Sequence, residues 1–184
     1  MLRILRTLVL TLVLLMIGFL VVGFFLPTEY RVSRQIEIDA PPEAVHAYVG
    51  DLSRWDEWTP WKEMDPALKI TLGEKTAGVG ASQSWTGSDG PGSLEFKKSS
   101  PRDGVEFALY LQEGQEPIDA ALQYAVANGK TNVEWSMAGD FDLPVFGGYM
   151  AWMVEKIVGP TYERGLESLK SKVEGKAPPS ESTP

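Results

Sequence analysis

The chain has 184 residues, no cysteine, one histidine and a formal charge of −8 at pH 7. That acidity sets the domain against phosphate backbones and so against nucleic-acid partners. Without cysteine or a second histidine, the usual zinc ligand sets are excluded; no metal or other cofactor is implied.

The first segment stands apart. From Leu8 to Leu26 no residue is charged. As a helix this stretch is about 28 Å long, close to the hydrocarbon thickness of a bilayer. Arg3 and Arg6 precede it and Pro27 follows. A cleaved secretory signal is the alternative, but the run ends in Gly-Phe-Phe-Leu-Pro without a small-x-small site. Residues 1–28 are therefore expected to be an uncleaved single-pass anchor. The short basic N-terminus favours an inside N-terminus and an extracytoplasmic, in a bacterium periplasmic, domain; Arg31 and Arg34 on the far side leave the orientation open.

Residues 29–174 make one domain, and 175–184, GKAPPSESTP, read as a disordered tail. Alternation predicts a strand over Tyr30–Asp39, then a short helix opened by Pro41-Pro42-Glu43 and closed by Gly50. Asp51 or Ser53 caps a second short helix containing Arg54 to Trp58, stopped by Pro60. Strands follow at Ala67–Leu72 and Val79–Thr86. A long polar turn over 87–92 leads to a strand marked by Leu94 and Phe96. Val105 to Leu111 alternate, Ile118–Val126 follow, and Asn128-Gly129 is a hairpin turn into the strand of Val133, Trp135 and Met137. Short turns between strands mean an antiparallel meander. A long helix from about Val145 to Val173 ends the domain. Met150, Met153/Val154, Ile157/Val158, Tyr162, Leu166 and Leu169 lie on one broad apolar face, with a kink expected at Pro160 and a notch for close approach at Gly165.

IDAPPEAV, DLSRWDEWTPW, GVGASQSWTG, VEWSMAGD and VGPTYERGLESLK, in that order and spacing, resemble the START-like SRPBCC superfamily, specifically its bacterial polyketide cyclase/dehydrase group. The resemblance implies an α+β helix-grip fold: a curved antiparallel sheet of about seven strands around the long C-terminal helix. Two short helices after the first strand support one end. It also implies a pocket for an apolar small molecule between sheet and helix. His46 stands where the family pattern usually has an aromatic residue.

Trp55, Trp58 and Trp61 fall three apart, which suits core packing first and pocket lining by Trp58 or Trp61 second. Trp85, Phe107, Leu109, Trp135 and Met137 on strands, with Tyr149, Met150 and Met153 beginning the long helix, form a candidate apolar lining. Gln83, Ser136 and Tyr149 are candidate polar contacts. The leading reading is a membrane-anchored binding domain for an apolar or amphipathic, lipid- or quinone-like molecule. An enzyme of the cyclase, dehydratase or hydrolase kind is the second, with Asp140, His46 and Glu134 as the acid/base groups to test, although no catalytic set stands out. A partner-binding module with a filled interior is the third. Asp51, Asp56, Glu57, Glu63 and Asp65 around the tryptophans read as solvated, and Asp140 and Asp142 as capping or solvated. Gly129-Lys130-Thr131 and Gly78-Val79-Gly80 fail as phosphate loops, since neither opens a helix at the required spacing.

Overall fold

The structure is a computed structural model that describes residues 2–111 and 116–175; the predicted tail, beyond Gly175, lies outside the described residues. A helix, α1 (Leu2–Phe25), leads into β1 (Glu29–Ile38) and α2 (Pro42–Val49). A 3-10 helix (Leu52–Glu57) and a four-residue helix, α3 (Trp61–Met64), follow. The strands β2 (Lys69–Leu72), β3 (Ser82–Gly87), β4 (Gly90–Ser100), β5 (Gly104–Tyr110), β6 (Ile118–Ala127) and β7 (Lys130–Asp140) precede α4 (Gly147–Val173). They form one antiparallel sheet in the order β1-β7-β6-β5-β4-β3-β2. Only the first strand leaves sequence order, pairing with the last, so the long helix returns across the sheet beside β1 and β7. This is the helix-grip arrangement.

The register follows from the alternation. Val133, Trp135 and Met137 turn to the face that α4 covers, as do Val32, Leu94, Phe96, Val105, Phe107 and Leu122, and all are buried. The opposite face is polar, with Ser33 donating to Glu134 at 2.5 Å and a Lys98–Glu106 ion pair. At the β6–β7 hairpin Asn128 and Gly129 both have positive φ, 54° and 78°, as a two-residue primed turn requires.

Four expectations are corrected. Residues 87–92 are not a long turn: β3 runs to Gly87 and β4 starts at Gly90, leaving Ser88 and Asp89 as the connection. Strands β2 and β3 begin later than expected, at Lys69 and Ser82, and Gly78 and Gly80 sit at positive φ in the loop before β3. The 3-10 helix ends at Glu57, short of Pro60, and Pro60 instead stands at the start of α3, so Trp61 opens a further helix. And the apolar residues of α4, the helix that contains Pro160, do not share one face. Tyr162, Leu166 and Leu169 are buried with Val154 and Val158 packed beside them, whereas Met150, Met153 and Ile157 are exposed.

By length and composition α1 is able to cross a membrane; its span Arg3–Phe25 has a mean hydropathy of 2.9.

Candidate functional site

At the end of the sheet where β2 is the edge, α3 and the middle of α4 stand over the concave face and leave a cavity of about 260 Å³. Its walls are Trp61 and Met64 from α3, Leu68 and Ile70 around β2, Trp85 from β3, Leu109 and Leu111 at the end of β5, and Tyr162 from α4. Asp65, Gly87, Asp89 and Gly90 complete the rim. Alternation explains the strand contributions: Ile70 and Trp85 are directly paired across β2–β3 and share the concave face. Apolar surface dominates the lining, and the charged groups are at the mouth.

The wall of tryptophans is built from the chain's short helices. Trp55 donates its indole N–H to the Val49 carbonyl at 2.8 Å, which ties the 3-10 helix to the end of α2. Trp55 then meets Trp58, Trp61, Phe96 and Phe107 at centroid distances of 5.4–5.7 Å. Trp135 carries the cluster to α4, stacking on Tyr162 at 4.0 Å and 10°. This approach depends on Gly165: a Cβ there would stand 2.8 Å from the Trp135 ring. Trp55, Trp58 and Trp135 are core, each at most 2% exposed. Of the three clustered tryptophans, only Trp61 reaches the cavity.

The ten candidate lining residues thus separate into groups. Trp61, Trp85 and Leu109 come together at the cavity. Trp58 and Trp135 lie behind that wall. Phe107 and Met137 are buried in the sheet and border a second concavity, about 280 Å³, on the outer face among Arg31, Lys97, Glu106, Asp119 and Gln123. Tyr149 stacks on Phe19 of α1 at 4.4 Å and donates its hydroxyl to the Phe19 carbonyl at 2.9 Å. Met150 and Met153 face outward. The sequence reading did not single out Met64, Leu68, Ile70, Leu111 and Tyr162 as lining. Leu68 and Ile70 carried a usable signal, since they alternate along an expected strand. Met64 carried none, because a four-residue helix has no period.

The polar candidates are dispersed. Gln83 is 3% exposed and its amide nitrogen has no partner among the described residues. Ser136 lies on the outer face at the second concavity. Glu134 accepts from Ser33 on that same face, and Asp140 accepts from Thr28 at 2.9 Å at the β7 terminus. His46, on α2, has Nδ1 3.3 Å from the Tyr124 hydroxyl and Nε2 3.2 Å from the Ser99 hydroxyl. Burial holds its pKa below the ordinary histidine value, so the ring is neutral. None of Asp140, His46 and Glu134 lines the cavity. Of the acidic residues near the tryptophans, Asp51 caps the 3-10 helix through Ser53, Asp56 pairs with Lys62, and Glu57 pairs with Arg54 at 2.9 Å. At the cavity rim, Asp65 accepts from the Ser88 and Ala67 backbone N–H groups and the Ser88 hydroxyl. These bonds hold its carboxyl below the usual range and keep it ionised. Burial raises the Tyr162 phenol well above its ordinary value, so at the cavity wall it is a neutral hydroxyl.

A family model described as polyketide cyclase / dehydrase and lipid transport matches residues 29–174. Similar solved structures cover most of the chain at low identity. A Thermobifida fusca protein solved by NMR shares 18% identity over 79% of this chain and 93% of its own, with a TM-score of 0.60. The crystal structure of Ara h 8.0201 shares 16% over 80% of this chain and 99% of its own, with a TM-score of 0.56. The Aha1 dimer from Colwellia psychrerythraea shares 17% over 78% and 96%, with a TM-score of 0.55. At such identities the likeness is one of fold. No curated protein matches the sequence.

Proposed function

The chain belongs to the polyketide cyclase/dehydrase and lipid transport family, and on that premise we propose that it is a membrane-anchored binding domain for an apolar or amphipathic small molecule, lipid- or quinone-like. The observation that carries this reading is the cavity between α3, α4 and the β2 end of the sheet, with its aromatic and aliphatic walls. At about 260 Å³ it is near the lower end of small-molecule sites, roughly 300 Å³ and upward. It suits a ring system or part of one acyl chain, with the rest of an amphiphile at the mouth. The acidic side chains of Asp65 and Asp89 at the rim disfavour an anionic head group there. In this reading α1 is an uncleaved single-pass anchor with Arg3 and Arg6 inside and the domain outside, and it keeps the cavity near the phase in which such ligands dissolve.

An enzyme using the same cavity would need a proton donor or acceptor within reach of the ligand. Asp65 is committed to three hydrogen bonds as an ionised acceptor, and the other candidate groups are elsewhere, so the binding reading has the better support.

The test is native mass spectrometry of the domain, residues 29–184, purified without detergent, followed by organic extraction. A reproducible adduct that extracts as a small lipophile, and that disappears in a folded Leu109→Trp variant whose indole fills the cavity, supports the reading. An adduct unchanged by Leu109→Trp places the ligand elsewhere. No adduct, together with no rise in melting temperature across lipids and quinones, removes the reading.

A further inference from the structure

The first half of α4 carries a second apolar stripe that the fold does not use. Phe146, Met150, Met153 and Ile157 are spaced four, three and four residues apart, so they lie on one face of the helix. They are 55, 39, 51 and 57% exposed. Ala151 and Tyr162, buried, and Val154 and Val158, partly buried, lie on the neighbouring face, roughly a third of a turn around the helix. Beside the stripe Trp152 is 64% exposed, with the Lys156 ammonium 5.7 Å from its ring centroid. Aromatic and lysine side chains of this kind concentrate where a membrane surface meets water. Large apolar groups clustered on a surface mark an interaction site.

What covers the stripe follows from the helix beside it. The start of α4 packs directly on α1, not on its tip but inside it. Phe146 and Tyr149 both meet the Phe19 ring. Gly23 lets α1 come against Val145 and Tyr149, and Gly148 lets α4 come against Leu26. Phe19 is six residues before Phe25, about 9 Å back along the helix. A bilayer core takes about 20 residues of helix; counted from Thr7, the first residue after Arg6, that reaches Leu26. Phe19 and Gly23 are then within the hydrocarbon, and the residues of α4 that touch them are held at membrane depth. Further along, Met153 and Ile157 stay exposed, so α1 leaves α4 after its first turns and does not itself cover the stripe.

We propose that this stripe is a bilayer-seating surface: the first half of α4 lies in the lipid interface, its apolar side chains inserted, rather than the domain standing off on a linker. The proposal rests on the reading of α1 as a membrane anchor. It has a consequence for the cavity. Ile157 is one turn from Thr161, whose hydroxyl lies 3.6 Å from the sulfur of Met64 in the cavity wall. The stripe therefore runs from α1 along α4 to within one turn of Thr161, which touches Met64 of the cavity, and on this proposal a lipophilic ligand passes between bilayer and cavity along that side of α4.

Because the chain has no cysteine, single labels report on this directly. Full-length protein carrying Met153→Cys, Ile157→Cys, Gln123→Cys on the outer face of the sheet, or Leu12→Cys in α1 is labelled with an environment-sensitive fluorophore. Each is reconstituted in phosphatidylcholine/phosphatidylglycerol vesicles and quenched with aqueous iodide or with nitroxide-bearing lipid. Labels at 153 and 157 are expected to be several-fold less accessible to iodide than the label at 123 and to be quenched by the lipid nitroxide, as the label at 12 is. If 12 is quenched by lipid while 153 and 157 behave like 123, the domain stands off; the anchor holds and the seating proposal is overturned. Protection at 153 and 157 without lipid quenching puts protein on the stripe and also overturns it. A label at 12 open to iodide overturns the anchor and the proposal together.

Discussion

Gly165→Ala isolates the contact on which the helix-to-sheet approach depends. The new methyl would stand 2.8 Å from Trp135 Cζ3 and 3.4 Å from Pro60 Cδ. Trp135 has no room to retreat: it is 1% exposed, stacked on Tyr162, and edged by Trp58 and Trp61 at 5.3 and 6.4 Å. Forcing a methyl into such a site costs about 1–3 kcal/mol. Replacing glycine by alanine inside a helix returns about 1 kcal/mol. The balance is a loss of about 1 kcal/mol, up to about 2, or a melting temperature lower by about 2–8 °C for a domain of this size. The same substitution made in a Trp135→Phe background tests the cause. Phenylalanine does not reach the position of Cζ3, so the clash is gone and the alanine's helix preference remains. Gly165→Ala is then expected to stabilise by about 1 kcal/mol, a reversal of sign that double-mutant analysis of urea unfolding curves resolves. If Gly165→Ala destabilises equally in both backgrounds, the glycine is not there for the tryptophan and the account of this interface is wrong.

Two further outcomes follow from charged groups. With its pKa lowered by burial, His46 refuses in the folded state a proton that the unfolded chain accepts near pH 6.5. Its contribution to stability is complete above that pH and declines as the pH falls below it. The urea midpoint of the parent is therefore expected to fall more between about pH 7.5 and 5 than that of His46→Gln; equal losses would sink the assignment. Arg34 bridges β1 to α4, 2.8 Å from Glu155 and 2.5 Å from Glu163, in a gap left by Gly159. Both carboxylates are well exposed, so Arg34→Met is expected to cost only about 0.5–1 kcal/mol. Thermal melts should show the difference shrinking at about 1 M salt; a salt-independent difference would point to packing of the arginine stem instead.

Much of the fold was legible because single residues had single meanings. Val133, Trp135 and Met137 alternate with polar neighbours, and Asn128-Gly129 admits few turns other than the one found. The stretch 87–92 misled because, of its three glycines, only Gly90, at a φ of 103° in open space, serves the turn, while Gly87 and Gly92 serve packing. A Cβ at Gly92 would collide with the Trp85 indole, and one at Gly87 would meet Asp65 and Leu68. Within a strand such glycines mark close approach by another group, but in sequence they look like a loop. The site was legible in kind and not in membership. Trp61, Trp85 and Leu109 were picked for their aromatic or apolar character, and so were Trp135 and Phe107, which are buried behind or beside the cavity. Nothing in composition separates a core face from a cavity face of the same layer.

The methionines of α4 show the same limit and what lifts it. Met150, Met153 and Ile157 interleave with Val154 and Val158 so closely that the helix reads as one wide apolar face. Only the position of β1 and β7 divides it into a side that meets the sheet and a side that does not. The unmet side would be an aggregation liability on a freely diffusing domain. Its nearest structured neighbour is a helix with a mean hydropathy of 2.9, packed against Val145, Phe146 and Tyr149. An amphipathic helix buries its apolar face in the boundary layer of a bilayer when it is held there, and in the proposed seating these contacts do the holding. In that proposal the apolar residues of α4 that contribute nothing to the core lie between α1 and Met64 of the cavity. On the proposed seating, the second stripe of α4 has the same physical origin as the first: apolar surface removed from water, with lipid taking the place of the sheet.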